Sequence, residues 1–222
     1  LNGERAEALM FCSPQIVATR PPAIVSAGGF TPTTFDAASL SNATLSNGNL
    51  TATRSNTSTG GAQSIAYKAT GKFYFEVTVG ASHGSTDSIG IMASSYGYGP
   101  LTNGNTGAGS GVWLGNGNIV NNGGVVGNIG AANATGDIIR VAHDAPAGKV
   151  WYALNGGTWM NSGTADPATN NGGVTLIAAQ YAPVIGFSPF GSPTVGDNFT
   201  ANFGATAFTY GVPSGFTAGW SA

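Results

Sequence analysis

Charge is the scarcest property of this chain. Seven Lys and Arg and nine Asp and Glu make up only 7% of its 222 residues, against about a quarter in ordinary soluble domains. Seven scattered cations leave no electrostatic footprint for nucleic acid, and none is expected as a partner. Cysteine occurs once, at Cys12, so no intrachain disulfide forms; a buried thiol and an intersubunit bridge both stay open. With that cysteine and two histidines, His83 and His143, no recognisable zinc set assembles, and neither metal nor cofactor is expected. No apolar run approaches the ~20 residues of a membrane-spanning helix. Glu4 and Glu7 stand where a secretory leader carries basic residues, and the start at Leu1 reads as a processed product or a fragment.

What is present is small, neutral and strand-forming. Glycine numbers 36 and hydrophobic residues make up 41%, at a net charge of −2. Disordered chains show the reverse balance, so this one folds. Asn, Ser and Thr supply most of the remaining polarity, and amides and hydroxyls rather than ions wet the surface.

Residues 1–33 differ from the rest. They hold Glu4, Arg5, Glu7 and Arg20, a diproline at Pro21-Pro22, and a stretch near Asn2 that can make one or two helical turns. The prolines force extended backbone. With too few apolar residues for a core, the segment reads as an arm that attaches the chain to something larger, with Leu9, Phe11, Ile16 and Val17 as anchors. The alternative is an arm folded back along its own domain. The first reading implies a homo-oligomer or a multi-copy assembly.

From residue 34 to 222 the pattern is strand and turn. Residues 72–79 alternate, with Phe73, Phe75, Val77 and Val79 facing a core and Lys72, Tyr74, Glu76 and Thr78 facing away. Asn47-Gly48 predicts a two-residue type I′ hairpin. Residues 138–143 and 150–154 flank a turn at 144–148 and predict another hairpin. Further short strands are predicted at 88–93, 112–114, 118–120, 125–129, 173–180, 184–187 and 199–203. More than ten such strands, and no helical period beyond the arm, predict two packed antiparallel sheets.

Few residues invite chemistry. Residues 80–84, GASHG, match G-x-S-x-G, but that motif works where a strand runs into a helix; here a hairpin loop is expected. His143 alternates with Ile139 and Val141 and reads as a hydrogen-bonded, half-buried histidine. Asp166 and the loop to Gly173 lack the acidic spacing of a calcium site, and turn formation is the plainer reading. Without a convergent acid, base, nucleophile or metal set, no enzyme is expected. The better lead is aromatic. Tyr96 and Tyr98 in a Gly-rich loop, and Trp159 with Asn161 after a tight turn, are candidate ligand contacts of the kind that grip sugars or protein loops. Each ring has an alternative role in capping the core, and Trp113, between Val112 and Leu114, is expected inside it.

Four blocks in order carry a family resemblance. They are GKFYFEVTV at 71–79, IGI at 89–91, GDIIRVAHDAPAGKVWYALNG at 136–156, and GDNFTANFG at 196–204 followed by PSGF at 213–216. Together they resemble the SPRY family. The resemblance implies a jelly-roll type β-sandwich over residues 34–222, used for binding rather than catalysis, with ligands taken at variable loops along one edge. Arg140 and His143 depart from the small or apolar residues usual at their positions. The low-charge Gly/Asn/Thr style is similar to bacterial and phage members. It implies a virion component (head decoration, fibre or tail-associated) whose arm contacts other virion proteins, with a host glycan or protein as ligand. A secreted, lectin-like carbohydrate-binding module is the alternative.

Overall fold

Turn residues punctuate the chain so often that its strands are short, and only half of the strand pairs join strands adjacent in sequence. The computed structural model describes residues 30–94, 97–132 and 134–222. β1 (Ala43–Ser46) and β2 (Thr51–Arg54) pair antiparallel with Ser46 opposite Thr51. Their loop is therefore four residues long, not the two-residue turn that Asn47-Gly48 predicts. Asn47, Gly48 and Asn49 all have positive φ (53°, 62° and 64°), a run that Gly and Asn accept with least strain. β3 (Gly60–Gln63), which is not among the predicted strands, begins with a Gly-Gly pair. Glycine serves close approach there: a Cβ on Gly61 would lie 2.2 Å from the Ile185 carbonyl oxygen and 2.6 Å from the Tyr98 ring.

β4 (Lys72–Val79) has the predicted bounds, and β5 (Ser88–Met92) follows. The stretch read as a Gly-rich loop contains a four-residue helix, α1 (Gly99–Thr102), with Pro100 in its first turn, where the missing N–H costs nothing. β6 (Gly109–Trp113), β7 (Asn118–Asn121) and β8 (Gly124–Asn128) form the expected meander. β9 (Ile138–Asp144) and β10 (Lys149–Leu154) form the expected hairpin, its turn held by the Asp144 carboxylate accepting from the Ala147 N–H at 3.0 Å.

β11 (Val174–Thr175) is much shorter than the predicted 173–180. The Tyr181 hydroxyl accepts the N–H groups of Ile177 and Ala178 at 3.1 and 3.0 Å, which withdraws them from any ladder. β12 (Ala182–Phe187), β13 (Asn198–Asn202) and β14 (Thr217–Ala218) complete the set.

Among the described residues, fourteen strands form two sheets. One has the order β1-β2-β13-β4-β9-β10-β11, with β14 joining the start of β4; the other runs β3-β12-β5-β6-β7-β8. Every strand pair is antiparallel except β14 with β4. This is the all-β sandwich the sequence predicts. Upstream of residue 34, the Thr33 N–H donates to the Trp220 carbonyl, and Thr31 and Pro32 pair with the C-terminal residues.

The main core lies between the sheets. Phe75, Val77 and Val79 are buried in it as the alternation predicts. Trp220, which no sequence pattern marks, is also fully buried. Its ring packs on Phe73, Phe75 and His143, and its N–H donates to the Ala66 carbonyl at 2.8 Å. His143 is not half-buried as expected: it is 1% exposed and stacked on Trp220, and its Nδ1 has no hydrogen-bond partner. Burial lowers its pKa to about 4, and the nearby Asp144 charge opposes that only in part.

Both sheets also carry cover on their outer faces. Outside the six-stranded sheet, Tyr98 and Leu101 pack with Met92, Val120 and Val184. Trp113 belongs to this outer cluster, half-buried, its N–H donating to the Leu101 carbonyl, and not to the central core. Outside the eight-stranded sheet, Tyr74, Ala142 and Trp151 are covered by Phe208, Val212 and Phe216.

Candidate functional site

Among the residues the sequence singles out for binding, Tyr96 lies outside the described residues, as do the arm anchors Leu9, Phe11, Ile16 and Val17. Tyr98 is not an exposed platform. It is 8% exposed, its ring sits in the outer cluster beside α1, and its hydroxyl donates to the Ser39 carbonyl at 2.6 Å. Burial raises its pKa to about 12. Trp159 and Asn161 share a 3-10 turn after β10. Trp159 is half-buried and Asn161 is exposed. One face of the indole is already used: the Arg140 guanidinium carbon lies 4.8 Å from its ring centre and 5.1 Å from that of Tyr210. Arg140 is held there by donating to the Gly157 carbonyl. The structure thus brings Trp159 and Asn161 together and leaves Tyr98 in another cluster.

The buried charges are committed to architecture. Arg54, on β2, donates from Nη2 to Asp87 and from Nε to Asp197 at 3.1 Å, and all three side chains are fully buried. Asp87 also accepts the backbone N–H groups of Ser188 and Gly84, both at 2.8 Å. Asp197 accepts the Ser82 hydroxyl at 2.5 Å and the Thr194 N–H at 3.0 Å. One guanidinium thereby ties two loops to one end of the sandwich. Burial raises the Asp87 pKa to about 6 despite its hydrogen bonds and its cationic partner. Ser82 of the G-x-S-x-G match is a structural donor on a loop that leads into β5, with no helix behind it. Asp166 caps its own turn, accepting the Ala168 N–H at 2.9 Å and the Thr169 hydroxyl at 3.1 Å.

A groove missed by sequence reasoning lies on the outer face of the eight-stranded sheet. Residues 204–216 cross that face and are pinned by Glu76, which is 3% exposed. Its carboxylate accepts the Tyr74 hydroxyl (2.7 Å) and the N–H groups of Thr209 (2.9 Å) and Tyr210 (2.8 Å). Asn202 adds donors to the Thr206 and Ala207 carbonyls. Between this segment and the β1–β2 loop opens a cavity of about 320 Å³, lined by Asn47, Leu50, Glu76, Thr78, Thr200 and Thr206 among others. That is the size of a small ligand pocket. The alternation in β4 assigns Tyr74 and Glu76 to solvent. The signal that would have found their cover is the spacing of Phe208, Tyr210, Val212 and Phe216 near the C-terminus.

No family model matches the sequence, and no curated protein matches it. Solved structures do. The SPRY domain of human HERC1 has a TM-score of 0.60 at 16% identity, covering 75% of this chain and 96% of its own. A human SPRY domain gives 0.53 at 14%, covering 76% and 99%. The TRIM65 PSpry domain gives 0.50 at 12%, covering 78% and 92%. At these identities the likeness establishes the fold.

Proposed function

We propose that this chain, which carries the SPRY fold, is a non-catalytic binding module. The observation that carries this reading is the open groove on the outer face of the eight-stranded sheet, beside charged groups already engaged within the fold. Arg54, Asp87, Asp197 and Glu76 each hold backbone or one another, which leaves recognition rather than bond-making as the work of the surface. The SPRY resemblance supports the same role, since that family is used for binding.

The finer proposal is display in a bacteriophage particle, as a head decoration, fibre or tail-associated component. It rests on the low-charge, Gly/Asn/Thr-rich style of the sequence. In this reading the arm, residues 1–33, attaches the sandwich to a neighbouring virion protein through Leu9, Phe11, Ile16 and Val17. Ordering such an arm costs roughly 1–2 kcal/mol per residue of backbone entropy, so a partner surface must supply its contacts. Deleting residues 1–28 tests this: the truncated chain should melt at the same temperature and lose assembly. A much lower melting temperature, or aggregation, would show that the arm belongs to the fold. The secreted, lectin-like alternative draws support from the hydroxyl lining of the groove.

A further inference from the structure

The outward residues of four adjacent strands form cross-strand rows of hydroxyls. Ser46 on β1 faces Thr51 on β2, Thr51 faces Thr200 on β13, and Thr200 faces Thr78 on β4. A second row runs Thr44, Thr53, Asn198 over the first three strands. The intervening residues, Leu45, Ala52, Phe199, Ala201 and Val77, point into the core, so the alternation is strict. Thr51 and Thr200 bond to each other at 2.8 Å. The hydroxyls of Ser46, Thr53 and Thr78 bond to no other described residue.

Cations are absent from the outward positions of β1, β2 and β13, and this selects the ligand. Outward positions of β1, β2 and β13 carry no ionisable side chain. Glu76, which lines the groove, accepts three donors from the fold, leaving one acceptor position on Oε2. A phosphate, an acidic peptide or a nucleic acid would find no cation here. An amphipathic helix would find little apolar surface beyond Leu50 and the alanines of the groove. A sugar hydroxyl both donates and accepts, as Ser, Thr and Asn side chains do. An extended glycan laid across the strands meets a hydroxyl at each one, about 4.8 Å apart, and its C–H faces can pack on Leu50 and Ala205.

We propose that this face, from Ser46 through Thr51 and Thr200 to Thr78 and into the groove, binds an uncharged glycan chain. The proposal names a ligand class for the binding module inferred above and rests on that reading. The test uses the full chain, labelled for amide NMR, titrated with maltohexaose, cellohexaose, mannohexaose and chitohexaose, and with a heparin hexasaccharide and a neutral Gly/Ser peptide as controls. At least one neutral hexasaccharide should shift the amides of Thr51, Thr78 and Thr200. Thr78→Val with Thr200→Val should then weaken it at least tenfold, about fivefold to tenfold being expected per lost hydrogen bond, at unchanged melting temperature. Should the double variant fail to fold, Ser46→Ala on the exposed edge strand gives the same reading with a smaller loss. Trp159→Ala should leave binding intact.

Shifts confined to Trp159 and Asn161, binding of heparin alone, or affinity unchanged in the variants would each overturn the proposal. No response to any neutral sugar would also overturn it. Binding of the peptide without any sugar would overturn the glycan assignment while leaving the binding-module reading in place.

Discussion

Replacing His143 by phenylalanine should change how the stability of the sandwich depends on pH. The imidazole is 1% exposed, stacked on Trp220 at 5.5 Å, with Nδ1 unpartnered. Burial lowers its pKa from 6.5 to about 4. Above pH 6.5 it is neutral in both folded and unfolded chains and contributes no pH dependence. As pH falls from 6.5 toward 4, the unfolded chain binds a proton that the folded one refuses, and stability is lost. At about 1.4 kcal/mol per pH unit, the loss reaches about 3 kcal/mol at the lower limit. Asp87 acts in the opposite direction. Its folded pKa is raised from 3.8 to about 6, so its contribution is fully present below 3.8 and lost as pH rises through 6. Across the same window falling pH therefore adds about 3 kcal/mol from Asp87, and in the parent protein the two terms largely cancel. Urea unfolding followed by fluorescence of the buried Trp151 and Trp220, from about pH 7 to about pH 4.5, reads the balance. His143→Phe should gain on the parent by about 2–3 kcal/mol over that range, and Asp87→Asn should fall behind its own neutral-pH value by a similar amount. Parallel curves for parent and His143→Phe would refute the argument, because the imidazole would then titrate alike in both states.

Phe75→Ala should cost about 3–5 kcal/mol in denaturant unfolding, the range for a buried phenylalanine; a loss below about 1 kcal/mol would place that face of β4 in solvent. Arg54→Met strands two buried carboxylates and should cost about 3–5 kcal/mol near neutral pH, and a neutral outcome would show that the loops do not need the guanidinium. Glu76→Ala should raise amide exchange at Thr209 and Tyr210 about tenfold or more while leaving β9 protected; unchanged exchange would mean that aromatic packing alone holds the segment. A fluorophosphonate probe should not label Ser82, whose hydroxyl is engaged by Asp197, and labelling lost in Ser82→Ala would overturn the non-catalytic reading.

Local pattern was enough to locate most strands. In β4, β9 and β10 an apolar alternation is bounded by Gly and Asn turns, and both the period and the boundaries are properties of neighbouring residues. The four SPRY-like blocks led to the fold for the same reason, since their residues are strand and turn residues. The misreadings arise from side-chain contacts that the strand period does not report. Residues 176–180 look like strand, but the Tyr181 hydroxyl takes the N–H groups of Ile177 and Ala178. His143 reads as half-buried because Trp220 stands far from it in sequence.

The candidate site was less legible than the fold. Tyr98 and Trp159 are aromatic residues beside turns, which a sequence reports, but whether a ring faces solvent depends on what folds over it. The Ser, Thr and Asn residues of the groove read only as polar alternation on separate strands. Composition and periodicity determined a weakly charged chain of short strands with one apolar face each, and hence two sheets with a core between them. Only the tertiary structure decided which strands become neighbours. That register sets four hydroxyls in a row, and the crossing of residues 204–216 buries Tyr74 and Glu76. Side-chain period is a local property of the backbone, whereas strand order and outer-face cover depend on contacts between residues more than a hundred positions apart.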